Sequence, residues 1–299
     1  LVDFGCISQK PAIHDSSLSG ISFLDSKFLF GLTTRVGKML KTQEMPMSVQ
    51  SCGVIPIRRA ITLRKLAREY AAVPHDIKDG WSVSMIDPAR VLDAFDRLWL
   101  KPEFQLCAYQ FVSCGNGNGF VFAIPAENDL PSPGAPLIET GHFPGPPKPV
   151  GALNDVMKAI DGDGSLESYF QASLLDRELL EFGAMWHGCA WSTHQLLGGP
   201  PKDEPFRETS EDEDNAEDEG LCDMPVKDGQ ERWTWTGRRP VEWQPVVTLL
   251  KTRVKVQFHT YTGLGAETIY QFKDTFRPRQ YTFTTARREL ARGGCGYVF

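Results

Sequence analysis

The chain has 299 residues, enough for one large domain or two ordinary ones around a substantial core. Hydrophobic residues make up 41% and charged residues 23%, which excludes a disordered or fibrous chain, and the longest apolar runs fall short of the roughly 18 residues a spanning helix needs. A net charge of −6 disfavours nucleic acid as a partner.

Residues 1–46 read as a leader or extension outside the fold. The stretch SSLSGISFLDSKFLFGLTTRVGKMLK mixes serines, apolar residues and a basic end in the manner of an organellar transit segment, but Asp15 and Asp25 depart from the acid-poor pattern. A start at Met45 or Met47 is the alternative.

Residues 47–200 read as an α+β region. Ile61, Leu63, Leu66 and Tyr70, set among Arg64, Lys65 and Arg68, predict an amphipathic helix over 61–71 with the basic residues outward. Asp87 followed by Pro88 predicts a capped helix start, and Val91, Leu92, Phe95, Leu98 and Trp99 supply its buried stripe. FQLCAYQFVSCGNGNGFVFAIP then reads as a β-hairpin around a Gly/Asn turn rather than a phosphate-cradling loop, since it has neither a Walker spacing nor a G-x-G-x-x-G entering a helix. Eight prolines between 125 and 151 predict an irregular connector. Asp161-Gly162-Asp163-Gly164-Ser165 has the wrong register for a calcium loop and instead predicts a helix start capped by Asp163 or Ser165. The helix that follows, over 165–182, is apolar around most of its circumference, with a polar wedge of Glu167, Gln171, Glu178 and Glu181.

Next comes EFGAMWHGCAWSTHQLL, which places His187, Cys189 and His194 within eight residues, beside Trp186 and Trp191. On a helix, His187, Trp191 and His194 share a face that Cys189 leaves; on a strand, His187 and Cys189 share a face that His194 leaves. A packing segment is the leading reading. A metal site using His187 and His194, or a Cys189 nucleophile with a histidine base, is the catalytic alternative, a hydrolase or transferase.

Residues 201–230 carry 12 acids against 3 bases and read as a solvated insertion. Residues 231–299 carry 12 bases against 5 acids. In KTRVKVQFHT, Lys251, Arg253, Lys255, Gln257 and His259 alternate with Thr252, Val254, Val256, Phe258 and Thr260, predicting a half-exposed antiparallel strand that opens a β-meander. The opposite charges of the two segments suggest that the acidic one lies over the basic face.

Seven scattered cysteines with no C-x-x-C pair point to a reducing compartment, cytoplasmic or organellar, and not to a disulfide framework. The expected fold is therefore α+β: helices packed on a mostly antiparallel sheet, with a C-terminal meander in residues 231–299 that completes it. The expected function is non-catalytic binding of a protein or small-molecule ligand. Its surface would be an aromatic-lined groove between helix 165–182 and the sheet, with Trp186 and Trp191, or the basic face of Lys251, Arg253, Lys255 and His259. No motif specifies a cofactor or a named catalytic class.

Overall fold

The computed structural model describes residues 49–72, 79–137, 148–201 and 232–297, all within one compact unit, Met45–Phe299. The leader and the acidic insertion, and with them the idea that the insertion covers the basic face, lie outside the described residues.

Among the described residues strand accounts for 41% and helix for 22%, so the balance leans further to β than an even α+β mixture. The large sheet is antiparallel. It contains β1 (Val49–Val54), β9 (Val246–Leu250), β10 (Val254–Thr262), β11 (Ala266–Phe276), β12 (Phe283–Cys295) and β8 (Thr234–Trp235) in that order, while β7 (Gln195–Leu197) pairs with the far half of β10. Pairing of β1 with β9 brings the first described segment into the same sheet as the C-terminal meander. A second antiparallel sheet holds β2 (Gly80–Val83), β4 (Phe104–Ser113) and β5 (Asn116–Pro125), and β3 (Leu98–Leu100) pairs with β6 (Ile160–Gly162).

Helix α3 (Leu166–Leu180) fills the space between the sheets, with Ser165 capping the Ser168 N–H at 3.2 Å. Eleven of its fifteen residues are buried, because it meets β9 and β10 on one side, β5 and β3 on another, and helices α1 (Ile57–Tyr70) and α2 (Pro88–Asp93) on the rest. Phe170 stands edge-on to Phe258, and Tyr169 edge-on to Phe276. The expected groove between this helix and the sheet is thus filled by direct packing, as close-packed interiors require. The polar wedge is absorbed by pairing: Glu167 accepts from Arg59, Gln171 reaches Asp96, Glu178 meets Arg64, and Glu181 binds the backbone of 190–192.

Two expectations change. Helix α2 stops at Asp93, so Trp99 lies on β3 and is exposed, although Asp87 does cap the Ala89 N–H at 2.9 Å. Helix α1 is rotated from the predicted face: Ala60, Leu63, Arg64 and Ala67 are buried while Ile61 is 52% exposed. An arginine displaces an isoleucine from the interior because its partners are already there. A buried charge is tolerated when paired and hydrogen-bonded, and Arg64 is both.

The hairpin of β4 and β5 turns at Cys114 and Gly115, with φ of 48° and 80°, as a two-residue type I′ turn requires. The following Asn116-Gly117-Asn118-Gly119 is strand, and its glycines admit another backbone: a Cβ on Gly119 would lie 2.1 Å from the Phe182 carbonyl oxygen. Substituting Gly119→Ala is expected to destabilise the protein by roughly 1–3 kcal/mol, since the obstacle is backbone and cannot swing aside. Chemical denaturation with an unchanged midpoint would contradict this close approach.

Candidate functional site

The segment 181–197 forms neither the helix nor the strand that would align its histidines. Gly183, with φ of 64°, ends the helical run, and two 3-10 turns, Trp186–Gly188 and Trp191–Thr193, lead into β7. The Glu181 carboxylate holds this path by accepting from the backbone N–H groups of Ala190, Trp191 and Ser192, with the Ala190 and Ser192 bonds both 2.7 Å. Burial pushes the Glu181 carboxyl up, and these N–H groups oppose that shift.

His187, Cys189 and His194 consequently meet different surroundings. The His187 N–H donates to Asn116 Oδ1 at the start of β5. Cys189 lines a shallow pocket of about 280 Å³ with Arg68, Gly183, Ala184, Met185 and Ser192. His194 is 9% exposed and packs inside, stacked on the Trp191 ring at 5.4 Å. Among the described residues no three or more His, Cys, Asp or Glu side chains are placed to hold a metal ion. Of the two tryptophans, Trp186 is 63% exposed and Trp191 is buried.

Beneath Trp191 lies a polar network that helical periodicity did not reveal. Arg64 donates from Nε to Glu178 Oε1 at 2.7 Å, from Nη1 to the His194 carbonyl at 2.5 Å and from Nη2 to the Trp191 carbonyl at 3.0 Å. Trp191 Nε1 donates to the same Glu178 oxygen at 2.8 Å, and the guanidinium lies 4.2 Å over the indole. Burial works against the Arg64 charge, and the Glu178 carboxylate supports it. Bonded from all three of its nitrogens, Arg64 is a buried post that fixes the turn and the start of β7 against α1. At the N-terminus of α1, Gln244 plays a similar part, accepting from the Ile57 N–H and donating to the Gly198 carbonyl.

Between α1 and β7 an open groove of about 660 Å³ remains, lined by Ile61, Arg64, Lys65, Arg68, Glu69, His194, Gln195 and Leu196. Its size is that of a small-molecule site. Ile61, Leu196 and the aliphatic stems of the basic residues give it carbon walls. His194 Nδ1 lies 2.8 Å from Thr260 Oγ1. Thr260 is fully buried, and this ring is the hydroxyl's partner among the described residues, so the arrangement that satisfies both has the hydroxyl donating to Nδ1 and the ring proton on Nε2. Burial pushes the His194 pKa down to about 4, with Arg64, Arg287 and Arg177 adding to the effect, so the ring is neutral near pH 7. Its Nε2–H is the polar edge left for the groove.

The basic strand divides in two. Arg253 and Lys255 line a separate groove of about 480 Å³ on the outer face of the large sheet, with Lys273, while Lys251 is exposed at the turn before β10. His259, expected on that same exposed face, is 1% exposed: it lies beneath Trp243, donates from Nδ1 to the Trp243 carbonyl at 3.4 Å and accepts at Nε2 from Gln271 at 3.1 Å. The segment carrying Trp233 and Trp243 packs over this end of the sheet with Tyr261, Ile269 and Leu290. Strict alternation identifies which residues share a face but not which part of that face another segment covers.

No helix among the described residues is long and apolar enough to cross a membrane. Comparison of the chain with protein-family models, with curated proteins and with solved structures yields no match.

Proposed function

We propose that this is a non-catalytic binding protein whose groove between α1 and β7 takes a small amphipathic acid. The observation that carries the reading is a carbon-walled concavity with one fixed, neutral imidazole at its floor and Lys65 and Arg68 at its rim. Apolar burial supplies affinity in such a site, and a few placed polar groups set orientation. A proton on His194 Nε2 asks for an acceptor, and a lining with three basic side chains, Arg64, Lys65 and Arg68, against one acid, Glu69, favours that acceptor being anionic. Catalysis has less support: the hydroxyl beside His194 belongs to Thr260, which has no exposed surface from which to attack a substrate.

Saturated fatty acids of eight to fourteen carbons serve as probes, with binding followed by titration calorimetry. Ile61 is half exposed, so Ile61→Glu leaves the fold intact while placing a carboxylate on the apolar wall. The variant is expected to weaken binding by about ten-fold or more, consistent with lost burial and charge repulsion. Equal affinity in the variant, or no binding of any chain length by the wild type, would reject the reading.

A further inference from the structure

We infer that the outer face of the large sheet carries a second, separate site, built for a tetrahedral oxyanion such as the phosphate or sulfate group of a small ligand, and held by Arg253, Lys255 and Lys273. The sheet register sets these groups together. Lys255 pairs across to Thr248 on β9 and Thr275 on β11, and Thr275 pairs on to Thr284 of β12, making one cross-strand row of a lysine and three threonines. In the adjacent row Gln257 pairs with Lys273, which pairs with Ala286. Lys255 and Lys273 are therefore diagonal neighbours on one face, about 7–8 Å apart at the backbone. Arg253, two residues before Lys255, lines the same groove.

Nothing within the described residues compensates these charges. Among the described residues no carboxylate lines the groove, and Asp274, the acid nearest in sequence, points to the opposite face and binds Arg177. The Arg253 Nε–H is buried with no acceptor among the described residues. Like charges placed as diagonal neighbours repel unless a counter-ion lies between them. The remaining lining is neutral, with the hydroxyls of Thr248, Thr275 and Thr284 as further donors.

The chemistry of the ligand follows from the kinds of donor and the strands that carry them. Ammonium groups and hydroxyls stand on four neighbouring strands of one groove, which suits an anion with acceptor oxygens in more than one plane better than a planar carboxylate. The lining contains no aromatic ring, so a nucleic-acid base would find no stacking surface. One row further along β10, His259 is covered by Trp243, so the exposed basic face does not continue past Gln257 on this strand.

The test uses the full chain in a buffer free of polyvalent anions, titrated with inorganic phosphate, sulfate, pyrophosphate and, as the planar control, acetate. Backbone amide shifts at Lys255, Lys273 and Thr275 are the readout. Phosphate or sulfate is expected to shift these amides saturably, with acetate about ten-fold weaker or more; which of the two binds more tightly identifies the source chemistry. The pair Lys255→Gln and Lys273→Gln is expected to weaken binding about ten-fold or more, and Thr275→Val about three-fold at unchanged charge. Equal response to acetate, or phosphate and sulfate affinities unchanged in both variants, would overturn the site and leave only diffuse attraction, which salt screens.

Discussion

Replacing Asp274 by Asn is expected to lower the stability of the folded chain by about 3–5 kcal/mol. Asp274 has no exposed surface and receives Arg177 through two bonds, from Nη1 at 2.8 Å and from Nη2 at 2.9 Å, together with the Thr285 hydroxyl at 2.7 Å. Arg177 is itself buried, gives a further bond to the Ser173 carbonyl, and lies within about 6 Å of the rings of Phe258, Phe272, Phe283 and Trp191. Removing the carboxylate charge strands the guanidinium in this aromatic cage, where water cannot replace the lost partner. At the usual scaling for a protein of this size, Tm should fall by roughly 6–20 °C. Replacing both partners with apolar residues, Arg177→Met with Asp274→Leu, should recover most of the loss, because the pair contributes far less than the damage done by removing half of it. Urea unfolding followed by circular dichroism measures both; a single variant within about 1 kcal/mol of wild type would show that the ion pair does not anchor α3 to the sheet.

A second large effect concerns pH. Folded His194 titrates near 4 where an unperturbed histidine titrates near 6.5, so between these values the unfolded chain holds a proton that the folded protein does not. Its contribution to stability is complete above about pH 6.5 and is lost as pH falls toward 4. Asp176 works in the opposite sense. Burial pushes its pKa up to about 6, with Asp155 and Asp274 adding to the effect against Arg177, so its folded form keeps a proton that the unfolded chain has released. This group weakens the fold as pH rises from about 4 to 6. Each shift is worth roughly 3 kcal/mol, so the two nearly cancel over a shared window. His259, also lowered by burial, sides with His194, and Glu181, raised by burial, sides with Asp176. Removing the Asp176 carboxylate as Asp176→Asn is expected to raise stability at pH 7 by roughly 2 kcal/mol and to expose a climb in stability between pH 4 and 6.5 that the wild type lacks. Urea midpoints at pH 4.5, 5.5 and 7.5 give the comparison, and a variant no more stable than wild type at pH 7.5 would contradict it.

Much of the framework is legible residue by residue. In KTRVKVQFHT the alternation assigns Thr252, Val254, Val256, Phe258 and Thr260 to one face, and all but Thr252, which precedes β10 and is exposed, are buried. Ser165 caps α3, and the nearly all-apolar circumference of that helix matches its central position. These features are local: a cap, a strand period and a helix with no solvent face are written in neighbouring residues. The candidate site is not local. Arg64 occupies a position that periodicity assigns to solvent, and it turns inward because Glu178, 114 residues away, and two carbonyls of 191–194 are there to receive it. That exchange leaves Ile61 outside to form the groove wall.

His194 and His259 make the same point. His259 stands in a stretch whose alternation is clear and His194 in one that fits neither period, yet in both cases distant residues decide: Thr260 and Trp191 make one a neutral donor at a groove, and Trp243 covers the other. The amino-acid sequence by itself determined the antiparallel meander, the buried central helix, the glycine-rich hairpin and the charge asymmetry, because each depends on side-chain period, backbone freedom or composition within a short window. Only the tertiary structure decided that His187, Cys189 and His194 part company, that Arg64 is an internal post, and that Arg253, Lys255 and Lys273 gather in one groove. Those outcomes depend on pairings between distant segments, where burial of a charge is favourable or ruinous according to what lies opposite it.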